Sequence, residues 1–206
     1  MRSFSLKKEI FLLAILIAAM VLLPAVLTTA TDFPAAVKSR YGQKASIYWK
    51  IRQITISPIF DEPETTDVEF YINRHDSLFI STPQKQIFGI GDTLWTYLPK
   101  HKQIQKHQGV AVINPLAFID SSQSLYKVLS ADEHTVILES SDENMEPDSV
   151  AIYYAKNGAI EKAEYLDANR NKVSMDFQKE SFAKSIPRDN FLSDPPPGVE
   201  IIDLGE

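Results

Sequence analysis

Beyond Gly42 the chain places apolar residues at every second position, in one short segment after another. Trp49, Ile51 and Gln53 alternate with Lys50 and Arg52, and Val68, Phe70 and Ile72 alternate with Glu69, Tyr71 and Asn73. A period of two sends successive side chains to opposite faces, which specifies strands rather than helices. Leu78–Ser81, Gln86–Ile90, Thr93–Leu98 and Gln103–Lys106 continue the pattern, as do Leu125–Ser130, Thr135–Glu139, Ser149–Ala155, Ala159–Leu166 and Lys172–Gln178. Asn157-Gly158 predicts a two-residue hairpin with positive φ at both central positions. Many short strands with tight connections predict an antiparallel meander, built as one large curved sheet or an open barrel. A short helix precedes it: Asp32 can cap, Pro34 sits near the first turn, Ala35, Ala36, Val37 and Tyr41 give the apolar spacing, and Gly42 stops it.

Two segments break the pattern. Within Gly109–Ser122, Asn114 can serve as an N-cap with Pro115 at the first helical position, followed by Leu116, Ala117, Phe118 and Ile119. Such an apolar turn either plugs one end of a barrel or covers an apolar cavity, and periodicity does not choose between them. At the start, Arg2, Lys7 and Lys8 precede an apolar run of 18 residues, Ile10–Leu27, interrupted by Pro24 and followed by Thr28-Thr29-Ala30. Positive start, apolar middle and small-residue exit are the parts of a signal peptide, so residues 1–30 are expected to direct export, cleaved after Ala30 or retained as an anchor. Residues 31–206 then form one domain outside the cytoplasm.

Composition removes several function classes. The net charge is −6, and losing Arg2, Lys7, Lys8 and Glu9 with the leader makes it −8. An acidic chain does not suit nucleic acid, where clustered Lys and Arg neutralise phosphates. There is no cysteine, hence no disulfide, thiolate metal site, thiol nucleophile or lipid-modified N-terminal Cys. The four histidines, His75, His101, His107 and His134, are scattered, so no metal site is expected. No nucleophile elbow, zinc-protease helix, P-loop or dinucleotide-binding glycine motif occurs. The acidic stretch Asp142–Asp148 lacks the ligand spacing of a calcium loop and reads as a solvated hairpin end. The chain is expected to be neither an enzyme nor dependent on a cofactor.

Gly91-Asp92-Thr93-Leu94-Trp95-Thr96-Tyr97-Leu98-Pro99 follows Arg74 and Pro83-Gln84, with Gln103 beyond it. Near the end, Phe191 precedes Pro195-Pro196-Pro197-Gly198-Val199-Glu200-Ile201-Ile202-Asp203. In order and spacing these landmarks resemble the LolA family of periplasmic lipoprotein carriers, over most of residues 32–203. The resemblance implies a mainly β fold with a few short helices: an incomplete antiparallel β-barrel, or half-barrel, with an α-helical lid. It implies a non-enzymatic carrier that takes lipoprotein acyl chains into an apolar cavity and moves them from the inner towards the outer membrane.

On that resemblance Arg74 would control the lid, and Pro115, Leu116, Phe118 and Ile119 would form it. Trp49, Tyr71, Leu78, Ile80, Phe88 and Leu94 would line the acyl-chain cavity. Leu94 and Trp95 point to opposite faces, so one of the two can line it. The expected partners are outer-membrane-destined lipoproteins, the inner-membrane ATP-driven transporter that releases them and, where one exists, an outer-membrane acceptor. The carrier itself would be a monomer in the periplasm. The chain departs from the family pattern in His75, which stands where Pro is usual, in Ile80, where an aromatic is expected, and in the extended loop Pro58–Glu64. A membrane-tethered sensor or assembly factor of the same fold, with Ile10–Leu27 as its anchor, is the alternative.

Overall fold

The computed structural model describes residues 32–42, 44–60, 62–73, 77–91, 93–108, 126–141, 147–182, 186, 191–192 and 194–205. Among the described residues one α-helix, α1 (Ala35–Tyr41), leads into twelve strands: β1 (Ser46–Ile56), β2 (Glu64–Asn73), β3 (Ser77–Ser81), β4 (Gln86–Ile90), β5 (Thr93–Leu98), β6 (Gln103–Gln108), β7 (Tyr126–Ala131), β8 (Thr135–Ser140), β9 (Ser149–Tyr154), β10 (Ile160–Leu166), β11 (Lys172–Ser181) and β12 (Glu200–Asp203). They form a single sheet in the order β12-β6-β5-β4-β3-β2-β1-β11-β10-β9-β8-β7. Every pairing is antiparallel except β12 against β6. Among the described residues the sheet is open, with β12 and β7 as its edges.

Each face of the sheet carries its own core. Ile47, Trp49 and Ile51 of β1 join Val68, Phe70 and Ile72 of β2, Leu78 of β3, and Val136, Leu138, Val150, Ile152 and Ala163 of β8–β10. Phe33, Val37 and Tyr41 from α1 and its approach pack into the same cluster. On the outer face, paired residues of adjacent strands make an aromatic row: Tyr48, Tyr71, Phe79, Phe88, Trp95. Phe191, Leu192 and Val199 of the C-terminal segment cover it.

The turns differ in detail from their sequence reading. Ala155 N–H donates to Ala159 O at 2.8 Å and Gly158 N–H to Ala155 O at 2.8 Å, leaving a three-residue loop in which Gly158 alone has positive φ, +78°. A type I turn closed by a left-handed glycine fits the strand twist as well as the two-residue turn expected from Asn-Gly. Asp32 does not cap α1. Pro34 holds the N-cap position, while the Asp32 carboxylate accepts from Phe33 N–H and pairs with Lys38. The β12 strand had no period-two signal of its own, because four residues are too few to show one.

Burial raises the pKa of Tyr126, whose hydroxyl donates to Pro147 O at 2.9 Å, to about 12, and burial with nearby Glu69 raises that of Tyr71 to about 12. The folded state therefore holds these protons more tightly than the unfolded chain, where tyrosine titrates near 10. Their contribution is complete below pH ~10 and is lost as pH rises through ~12. The denaturant midpoint should fall steadily over that window. A denaturant midpoint that stays constant from pH ~10 to ~12 would contradict this.

Candidate functional site

The inner face encloses a cavity of about 590 Å³. One wall is a cross-strand ladder in which Trp49 pairs with Phe70, Phe70 with Ile80, and Ile80 with Ile87. The other wall comes from Phe177 and Met175 of β11, Ala163 and Tyr165 of β10, and Val150 and Ile152 of β9. Ile87 and Val150 belong to strands six steps apart, a separation of about 29 Å in a flat sheet at ~4.8 Å per step. Both line one cavity of this size, so the sheet curls around it.

The character of the lining changes from one end of the cavity to the other. Phe33 lines it at the end next to α1, and α1 is tied down through Glu180. That carboxylate accepts from Arg40 Nε at 2.9 Å, from the Tyr41 hydroxyl and from Trp49 Nε1 at 3.4 Å. Tyr41 Oη in turn accepts Ile160 N–H at 3.0 Å, linking helix, β11 and β10 through one phenol. Burial, reinforced by the adjacent carboxylate, pushes the Tyr41 pKa far above the ordinary phenol range. The phenol therefore stays protonated and keeps donating. A charge-assisted knot of this kind is stronger than neutral hydrogen bonds and fixes the helix in place.

Polar lining is confined to the other end: Gln53 of β1, Glu64 and Thr66 of β2, and Thr82, Gln84 and Lys85 between β3 and β4. Among the described residues no polar or charged side chain is fully buried, and none has an unsatisfied buried polar atom. Away from that end the described lining is apolar side chains, with Tyr165 the one phenol beside the polar group. No cluster of three or more metal-ligating side chains occurs among the described residues. An apolar pocket within the usual range of about 300–1,000 Å³, with polar groups only at its mouth, suits a ligand with an apolar tail and a polar head.

Of the residues expected to line the cavity, Trp49 and Ile80 do so. Leu78 is buried in the same inner cluster. Leu94 lies on that side too, because a Cβ on Gly89 would meet Leu78 Cγ at 3.2 Å and Leu94 Cδ1 at 3.5 Å. Tyr71 and Phe88 belong to the outer face. The ladder forces this: Trp49 opposite Phe70 sends Tyr71 outward with Tyr48, and Ile80 opposite Ile87 sends Phe88 outward with Phe79. Trp95 joins them, with Lys106 Nζ 5.7 Å from its ring centroid. The cavity therefore takes Phe70 in place of Tyr71 and Ile87 in place of Phe88. Phe33, Val150, Ile152, Ala163, Met175 and Phe177 also line it. Their signal was alternation in the later strands, whose faces become assignable only once β1 is known to pair with β11. Arg74, Pro115, Leu116, Phe118, Ile119 and the run Ile10–Leu27 lie outside the described residues.

No model of a known protein family matches the chain, and no curated protein matches it. Solved structures do. An uncharacterized conserved protein from Thermus thermophilus aligns with a TM-score of 0.50 at 8% identity, over 82% of this chain and 94% of that one. A LolA superfamily protein from Nitrosomonas europaea aligns with a TM-score of 0.40 at 12% identity, over 78% and 91%. A Vibrio parahaemolyticus domain described as outer membrane lipoprotein-sorting gives 0.44 at 11%, over 76% and 93%. The Thermus thermophilus likeness is one of fold.

Proposed function

We propose that the chain is a periplasmic carrier that takes acyl chains of lipoproteins into this cavity and passes them from the inner towards the outer membrane. The observation that supports the reading most is the apolar, curled interior with its polar lining gathered at one end. An acyl chain gains about 0.8 kcal/mol for each CH₂ withdrawn from water, so burial alone supplies the affinity. Onward movement then requires only an acceptor that binds better, and no bond is made or broken. In this reading Arg74 and the 115–119 turn govern access, the releasing transporter loads the carrier, and an acceptor empties it.

Two experiments test it. Incubation of the exported protein with spheroplasts that make an outer-membrane lipoprotein should release that lipoprotein as a soluble one-to-one complex. Release no greater than in buffer would contradict carriage. N-terminal sequencing of the exported protein should begin near Thr31. An intact Met1 would exclude shuttling and favour the tethered sensor.

A further inference from the structure

The β1–β2 hairpin continues past the cavity mouth and ends in exposed apolar side chains. Gln53, Glu64 and Thr66 of this hairpin line the mouth, and Thr55 opposite Glu64 is its last ladder pair. Beyond that pair, Ile59 is 82% exposed and Phe60 69% exposed. Ile56 and Leu166, 44% and 47% exposed, stand on either side of Lys172 on the neighbouring strands. Large side chains left in water around one opening mark an interaction site, whereas a single exposed residue would not. The tip also has internal order: Ile59 N–H donates to Ser57 Oγ at 3.2 Å, and Pro58 and Pro63 restrict the backbone on both sides. Less entropy is then lost on docking.

Charge selects the partner. The loop Ser57–Glu64 carries Asp61, Glu62 and Glu64 and has no basic residue. An anionic lipid surface attracts basic segments and repels acidic ones, so an acidic loop is poorly matched to it. We propose that this tip docks the mouth onto a membrane-associated protein, inserting Ile59 and Phe60 into an apolar pocket rimmed by Lys or Arg. The inference rests on the carrier reading for its purpose, but the contact itself requires no cargo.

Cosedimentation of the empty exported protein with membranes from its own cells, periplasmic face exposed, tests the contact. Three membrane preparations serve as probes: untreated, trypsin-stripped, and protein-free vesicles of the extracted lipid. Wild type should bind the untreated membranes, and the other two about tenfold less. The Ile59→Ser/Phe60→Ser variant should bind untreated membranes about tenfold more weakly, as expected for loss of an aromatic anchor. Glu62→Lys, exposed in the same loop, should weaken binding less, and raised salt should remove that difference. Equal binding by the Ile59/Phe60 variant would overturn the proposal, as would wild-type binding to protein-free vesicles. All these variants should bind a fluorescent fatty acid as wild type does. Loss of fatty-acid binding in wild type itself would instead strike the carrier reading.

Discussion

Ala163→Phe should weaken acyl-chain binding about a hundredfold and leave the protein at least as stable as wild type. Ala163 lines the cavity on β10, with Ile152 and Met175 as its cross-strand partners. In a close-packed core the added ring would force off-rotamer neighbours and cost about 1–3 kcal/mol. Here it enters open space, and burying a phenyl group contributes about 1.5–3 kcal/mol. Displacing four ligand CH₂ groups at about 0.8 kcal/mol each weakens binding by about two orders of magnitude. The checks are a fluorescent fatty-acid titration and a thermal melt on the same sample. A fall in melting temperature with ligand affinity unchanged would mean that Ala163 sits in a filled core.

Gly158→Val should be the most damaging substitution outside the cavity. A Cβ at Gly158 would lie 2.2 Å from Ala36 O, 2.5 Å from Ala36 C and 2.9 Å from Val37 N, all backbone atoms of α1. The φ of +78° adds the strain of a β-branched residue in left-handed backbone. Either the hairpin or the helix must move, and the Ile160 N–H to Tyr41 Oη bond joins the two. The expected loss is about 2–4 kcal/mol, or roughly 5–15 °C in melting temperature for a domain of this size. Gly91→Ala is the matched control. Its φ is +59° but its Cβ would meet nothing within 4 Å, so it should cost only about 1 kcal/mol. Equal costs at the two glycines would show that α1 does not rest on the β9–β10 turn.

Eleven of the twelve strands, in their chain order, could be read from the sequence because alternation is a local signal; β12 was too short to show it. Facing could be read only where neighbouring strands agree. Alternation alone could not tell the cavity face from the outer one, since β1 to β4 all carry large side chains on both: Trp49 beside Tyr48, Phe70 beside Tyr71, Ile80 beside Phe79, Ile87 beside Phe88. In a strand that buries both faces, period two loses its meaning, and the pairing register alone decides. The outer aromatic row under Phe191 is the reason these strands are two-sided. The Glu180 knot was illegible for another reason: Arg40 and Tyr41 meet a residue about 140 positions away. Only the pairing of β1 with β11 brings them together.

The two tryptophans lie on opposite faces of the sheet, Trp49 lining the cavity and Trp95 among the outer aromatics, and the chain has no others. This makes the location of bound lipid directly measurable with a fatty acid brominated along its tail, which quenches an indole it touches. In Trp95→Phe protein the remaining indole is Trp49, and one equivalent of brominated chain should quench most of its emission. In Trp49→Phe protein the emission of Trp95 should be unchanged. Quenching of Trp95 with Trp49 unaffected would place the ligand on the outer face and contradict the account.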